Sequence, residues 1–295
     1  MKKAAPFCVL TAGCMWGCMG LLVRTLTGYG LESMDITALR CMVTCICVAI
    51  FLALFNRKAF KVRLKDLWCF VGTGIVSVTF FSFCYFKTMT MTSLSVAAVL
   101  LYTAPTFVML MSAALFKEKM TGFKAGALLL SFLGCFLVTG VAGENASIVL
   151  SGIVTGLGAG FGYALYSIFG RYALEKGYSS LTITQYTFLF ASIGTLPFVN
   201  YSRIVHCFTE NRTLVIPVFL LIVLTTVAPY FIYTLGLGNM EAGRAAVIAS
   251  IEPVVATFIG ILVYQEKLAV SGAAGVLLVI GSIVLINRTP DKKML

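Results

Sequence analysis

Along this chain apolar residues come in long runs separated by short polar stretches, without the two-residue alternation of barrel strands. Ten runs fall at residues 5–27, 36–55, 66–88, 93–116, 122–140, 148–174, 180–201, 213–236, 241–264 and 269–287. Crossing a hydrocarbon core of about 30 Å takes about 20 apolar helical residues. The pattern therefore predicts an all-α integral membrane protein of ten transmembrane helices, with little chain left for a soluble catalytic domain. The third and fourth runs are separated only by Lys87-Thr88-Met89-Thr90, which places a loop there.

Composition strengthens this reading. Hydrophobic residues make up 60% of the chain and charged ones 11%, with a mean hydropathy of +0.99. A soluble domain carries about 25% charged residues. The net charge of +11 does not point to nucleic acid, because the basic residues cluster at alternate loops with no aromatic-interleaved basic stripe. Sixteen of the 22 Lys and Arg residues fall on the side that holds the N-terminus and four on the other, with Arg40 and Lys87 inside or at the end of spans. By the positive-inside rule both termini are cytoplasmic and the number of spans is even. The run after Met1-Lys2-Lys3 lacks a clean cleavage site and reads as a retained first helix.

Most of the ten cysteines lie inside apolar runs, where thiols behave as small hydrophobes. Cys14/Cys18 and Cys41/Cys45 have metal-ligand spacing, but the single histidine, His206, lies in a loop. No metal site, cofactor or disulfide framework is expected.

The two halves of the chain repeat each other. Ala97-Ala98-Val99, Pro105 and Glu118-Lys119 are answered by Ala245-Ala246-Val247, Pro253 and Glu266-Lys267, each 148 residues on. Tyr85 and Tyr233 keep that offset, while Gly13-Cys14-Met15-Trp16-Gly17 is answered by Gly158-Ala159-Gly160-Phe161-Gly162 at 145. Units at 1–143 and 144–295 would hold five helices each, and an odd count inverts the second unit in the membrane. Inverted repeats with a midplane site characterise secondary transporters. The small-xxx-small series Gly13/Gly17, Gly152/Gly156/Gly160 and Gly158/Gly162 place the first and sixth spans inside the bundle.

On the Gly13-to-Gly17 stretch with Trp16, Ala38-Leu39-Arg40, Ser95-Val96-Ala97-Ala98-Val99, Pro105, Ile251-Glu252-Pro253, Glu118 and Glu266, the chain resembles the EamA-type members of the drug/metabolite transporter superfamily over essentially its whole length. The resemblance implies a ten-helix carrier, commonly an exporter of amino acids and other metabolites. It also implies a central cavity lined by spans 1, 3, 4, 6, 8 and 9, without identifying a substrate. The first half has Ala104 where the second has Glu252, so only one of the two related positions carries a charge.

The candidate cavity residues are Trp16, Tyr102, Tyr163, Tyr166, Tyr230, Ser250 and Glu252. An aromatic wall suits amphipathic solutes and attracts cations through ring faces. Tyr85 and Tyr233, near span ends, read instead as interface anchors. Glu252 and Arg40 are the charges nearest the midplane, where burial is costly unless the group is paired or faces water. Glu252 reads either as a proton-titrating group or ammonium binder, or as a packing anchor beside Pro253. Arg40 reads as structural, on a peripheral span. Pro105, Pro229 and Pro253 remove backbone donors and bend their helices. Asn239 and Arg244 read as loop caps that could also gate the cytoplasmic side.

These features describe a non-ATP transporter of small molecules in a lipid bilayer, as a monomer or homodimer, with proton coupling as one energy source. The alternatives are an intramembrane enzyme, for which no nucleophile–base motif is visible, and a channel or scramblase, for which no filter sequence is visible.

Overall fold

The computed structural model describes residues 4–139, 150–265 and 269–288. Lys2, Lys3, Glu266, Lys267, Lys292, Lys293 and the expected boundary between 143 and 144 lie outside them. Among the described residues all regular structure is helical. In chain order the helices are α1 (Ala5–Gly28), α2 (Ser33–Phe55), α3 (Leu64–Met91), α4 (Leu94–Phe116), α5 (Gly122–Val138), α6 (Leu150–Glu175), α7 (Ser180–Phe198), α8 (Tyr201–Glu210), α9 (Arg212–Leu237), α10 (Ala242–Tyr264) and α11 (Val270–Asn287).

Eight of these are long and apolar enough to cross a membrane; α7 qualifies only together with α8, from which it bends by 97°. With 17 residues, α5 spans about 25 Å and crosses only if the bilayer thins or its flanks complete the span. Counting α5 and α7 gives ten crossings; length and composition alone secure eight.

Loop contacts sort into two faces. On the face of Ala5 and Asn287, buried Asp66 accepts hydrogen bonds from Lys176 Nζ (2.7 Å), Tyr178 OH (2.7 Å) and Arg63 Nε (2.8 Å). These bonds tie the α2–α3 and α6–α7 connections together. On the opposite face Asp35 accepts from the Asn200 backbone N–H at 2.8 Å, and Arg203 pairs with Glu32. Outward-facing Phe7, Leu54, Phe55, Leu129, Leu262 and Leu277 form the apolar girdle that a lipid environment requires.

The halves answer each other in detail. Helices α5 and α11 pack antiparallel through Gly134 and Gly275. A Cβ on Gly134 would meet Val279 N at 2.8 Å, and one on Gly275 would meet Val138 N at 2.7 Å. Antiparallel last helices are what an inverted duplication requires. Both α3 and α9 widen into π-type turns, at Gly72–Thr79 and Val223–Val227, which overlap at the 148-residue offset.

Three expectations change. Pro229 follows such a π segment rather than breaking α9, and α3 widens with no proline at all. Lys87-Thr88-Met89-Thr90 is helical. The real separation is at Thr92–Ser93; within the helix the Thr88 hydroxyl donates back to Cys84 O and so is satisfied without a loop. Finally, the seventh run ends at Phe198 instead of 201, and the chain turns there into amphipathic α8.

Candidate functional site: a cavity between two broken helices

Helices α4 and α10 are each interrupted at mid-span. In α4 the segments Leu94–Leu101 and Ala104–Phe116 meet at Tyr102–Thr103; in α10 the segments Ala242–Ala249 and Glu252–Tyr264 meet at Ser250–Ile251. Pro105 and Pro253 sit in the first turn of each second segment, where a missing N–H costs nothing. Each break is fitted to a glycine. A Cβ on Gly160 of α6 would lie 2.5 Å from Thr103 Oγ1, and one on Gly13 of α1 would lie 2.7 Å from Ile251 Cγ2. These contacts pair Gly13 with Gly160 and Trp16 with Tyr163, an offset of 147 rather than the 145 read from the glycine pattern.

Between the breaks lies a small cavity of about 20 Å³, lined by Leu101, Tyr102, Ala104, Pro105, Tyr163, Ala246, Ala249, Ser250 and Glu252. That is room for about one water molecule, far below the range of about 300–1,000 Å³ typical of small-molecule pockets, so the site is contracted. Glu252 opens the outer half of α10, where the half-helix dipole favours negative charge. Its Oε2 accepts a hydrogen bond from Tyr163 OH at 3.3 Å, and among the described residues it forms no ion pair. The side chain is only half-buried, and its free surface faces the cavity.

Of the seven cavity candidates, the structure brings Tyr102, Tyr163, Ser250 and Glu252 together on this lining. Trp16, Tyr166 and Tyr230 lie outside it and are buried in an aromatic cluster behind. Trp16 packs edge-on against Tyr163 (6.2 Å) and Tyr230 (5.3 Å), and Tyr230 meets Tyr166 at 5.0 Å. Close packing filled this layer because the glycines of α1 and α6 let the helices approach. Tyr233 corrects its assignment as an interface anchor: it is buried, shares a 2.7 Å hydrogen bond with Ser167 and packs on Trp16. Tyr85 likewise stacks inward on Phe81.

Known proteins share this architecture. The EamA-like transporter family matches twice, at residues 3–140 and 150–288. The chain belongs to that family. It is 27% identical to an uncharacterised transporter of Archaeoglobus fulgidus over 77% of this chain and 80% of the relative. It is 24% identical to the uncharacterised transporter YwfM of Bacillus subtilis over 97% and 94%. A solved crystal structure matches with a TM-score of 0.81 over 97% of this chain and 96% of the other at 15% identity, a likeness of fold alone. The protein is thus a multi-pass membrane transporter.

In this EamA-like transporter the two sides of the cavity differ. Toward the face of Ala5 and Asn287, the α4 and α10 segments pack directly, with Gly243 against Met109. Glu118, just past α4, accepts from the Ala242 and Gly243 backbone N–H groups at 2.9 and 3.4 Å and caps α10 in trans. Lys124 of α5 forms a buried ion pair with Glu241, and Lys124 Nζ also donates to Lys119 O at 3.0 Å. Burial pushes the Glu118 carboxyl up from its ordinary value, and the two N–H donors offset part of that. Toward the other face, Leu94–Leu101 packs on α6 while Glu252–Tyr264 packs on α1 and α5, and among the described residues no comparable interface joins the two. Among the described residues the two broken helices therefore pack together on one face and diverge toward the other.

The seal was only partly legible. Glu118 stood out as a repeated position, but Lys124 was only one of the sixteen basic residues on the side of the N-terminus, and Glu241 carried no signal beyond opening the ninth run. Asn239 caps Leu235 O at 2.9 Å, as expected of a loop residue. Arg244 reaches Asn287 Oδ1 at 2.9 Å and ties α10 to α11.

Proposed function

We propose that this transporter moves small organic solutes across a cell membrane by alternating access to the α4–α10 cavity, and that Glu252 couples the movement to protons. The observation that carries the reading is Glu252 itself. It is a carboxyl group at the junction of two half-helices, held by one tyrosine hydroxyl and otherwise turned to the cavity. A carboxylate in the membrane interior costs about 2.5–3.5 kcal/mol or more unless it is paired or reaches water, so one retained there marks a pathway. Tyr102 and Tyr163 give the lining an amphipathic wall, which suits small metabolites with an apolar part. The positive-inside count makes the face of Ala5 and Asn287 cytoplasmic, so the Glu118 and Lys124–Glu241 contacts form the closed inner gate. Export is the direction that the family resemblance favours. A cysteine at Lys61 should be labelled only from inside; outside-only labelling sinks this orientation.

The test begins with a thermal-shift screen of metabolites on the purified protein, since a ligand of the folded state raises its melting temperature. The hit is then carried into proteoliposomes with an imposed proton gradient. Glu252→Gln should still exchange substrate and should lose proton-driven accumulation. If affinity and accumulation stay at wild-type levels and only the melting temperature falls, Glu252 is a packing residue and the coupling reading fails.

A further inference from the structure

Arg40 lies on α2, away from the cavity lining, and is only 5% exposed. Its Nη1 donates to Met19 Sδ at 3.3 Å, and its Nε has no partner. A thioether is a weak, uncharged acceptor and cannot balance a guanidinium. No carboxylate pairs with Arg40 among the described residues. One turn along α2, the buried Thr44 hydroxyl is also without a partner. On α7, which packs against α2, Gln185 Oε1 has none, and its Nε2 reaches only Cys45 Sγ at 3.4 Å. Arg40 Nε and Thr44 Oγ1 thus lie one turn apart on α2, and Gln185 Oε1 lies on the neighbouring α7. A structural arginine in this fold looks different: Arg171 bonds Glu175 and the carbonyls of Leu237 and Met240.

The neighbourhood leads to the cavity. Met19 lies just past the break in α1 at Cys18, and on the other side of that break a Cβ on Gly17 would lie 2.7 Å from the Glu252 carbonyl oxygen. Arg40 and Glu252 therefore flank the same interruption of α1. Cys18 is the one residue of α1 that interrupts its helical segments, and it lies beside both groups.

We propose that Arg40 is an anion subsite that takes a carboxylate of the transported molecule when α1 swings, with Thr44 and Gln185 completing its hydrogen bonds. The guanidinium fork matches a carboxylate in two parallel bonds, and a single positive charge suits one carboxylate better than a dianionic phosphate. The inference rests on the transport reading of the cavity, and its test is chosen to separate the two.

The probe is sodium benzoate, an aromatic carboxylate, with benzamide as its uncharged counterpart and sodium chloride as a small anion. All are titrated against the purified full-length protein while its melting temperature is followed. Benzoate should raise the melting temperature of the wild type and of Glu252→Gln, with benzamide and chloride giving no shift. Arg40→Met should weaken the benzoate response at least about tenfold while melting at or above the wild type, because an unpaired buried charge has been replaced by an apolar chain of similar length. Should Arg40→Met fail to fold, Arg40→Lys carries the same test: it keeps the charge, loses the fork, and should weaken the response by a similar factor. The proposal is overturned if benzoate gives no shift, if chloride shifts the protein equally, or if the response survives both substitutions. Proton-driven flux without a benzoate response sinks the subsite and leaves the transport reading; a benzoate response without flux does the reverse.

Discussion

The breaks at Tyr102–Thr103 and Ser250–Ile251 share one backbone and differ in chemistry. Each is followed by a proline in the next turn, each is fitted to a glycine of a crossing helix, and each second segment ends in a left-handed residue, Lys117 or Gln265. Yet Tyr102 faces the cavity where the related position is Ser250, and Ala104 stands where the other half has Glu252. The approaches differ too. Helix α10 begins beside Glu241, paired with Lys124 and capped from Glu118, whereas α4 begins at Ser93, whose hydroxyl caps Val96 N at 3.2 Å within its own turn. At the 148-residue offset Lys124 corresponds to Gly272, which has no charge to offer. Duplication supplied two matching breaks; substitution put the carboxylate at one of them and, among the described residues, the Lys124–Glu241 pair on one face.

The largest expected effect tests the shared scaffold. Gly160→Leu and Gly13→Leu should both abolish a monodisperse folded protein in size-exclusion chromatography, since even a Cβ meets Leu100 O at 2.8 Å or Ala249 O at 3.0 Å. Gly20→Leu, with no neighbour within 4 Å, should be tolerated. Loss in one half only would break the equivalence.

Next, Lys124→Met leaves the buried Glu241 carboxylate unpaired and should cost about 3–5 kcal/mol in reversible denaturation. The double variant Lys124→Met/Glu241→Met should recover much of that loss. A full loss in the double would mean that packing, not charge, holds this face.

A smaller effect should come from making the hinges alike. Ala104→Glu puts a second carboxylate on the buried side of the cavity and should cost about 2.5–3.5 kcal/mol, with the melting temperature falling more above neutral pH than at pH 5. The sign follows because the added group is easier to bury protonated. An equal fall at both pH values would show that bulk alone is responsible. The smallest effect belongs to Tyr163→Phe, which removes one hydrogen bond to Glu252 and should shift stability by about 0.5–1.5 kcal/mol. A much larger shift would mean that Tyr163 is the main support of that carboxylate.

Much of this architecture was written in linear order. The 148-residue spacing of Pro105/Pro253 placed both hinges, and Gly13 and Gly160 marked the crossing helices. Glu252 stood out as a charge in an apolar run, and it lies among the residues that line the space between the two breaks. Tyr233 misled because position along a span says nothing about which way the helix is turned. Trp16 and Tyr230 misled because a residue on a cavity-lining helix can still point behind the cavity.

The sequence by itself determined that helices cross a membrane and that they come in two related sets. Hydrocarbon cannot hydrogen-bond the backbone, so long apolar runs have one available solution. The rotation of each helix was left to the tertiary structure. A helix apolar on every side carries no stripe to orient it, so its facing is set by how closely neighbours approach at glycines and breaks. That packing decided that four of seven candidates share a lining, that Lys124 meets Glu241, and that Arg40 is left beside a hinge with its Nε unbonded.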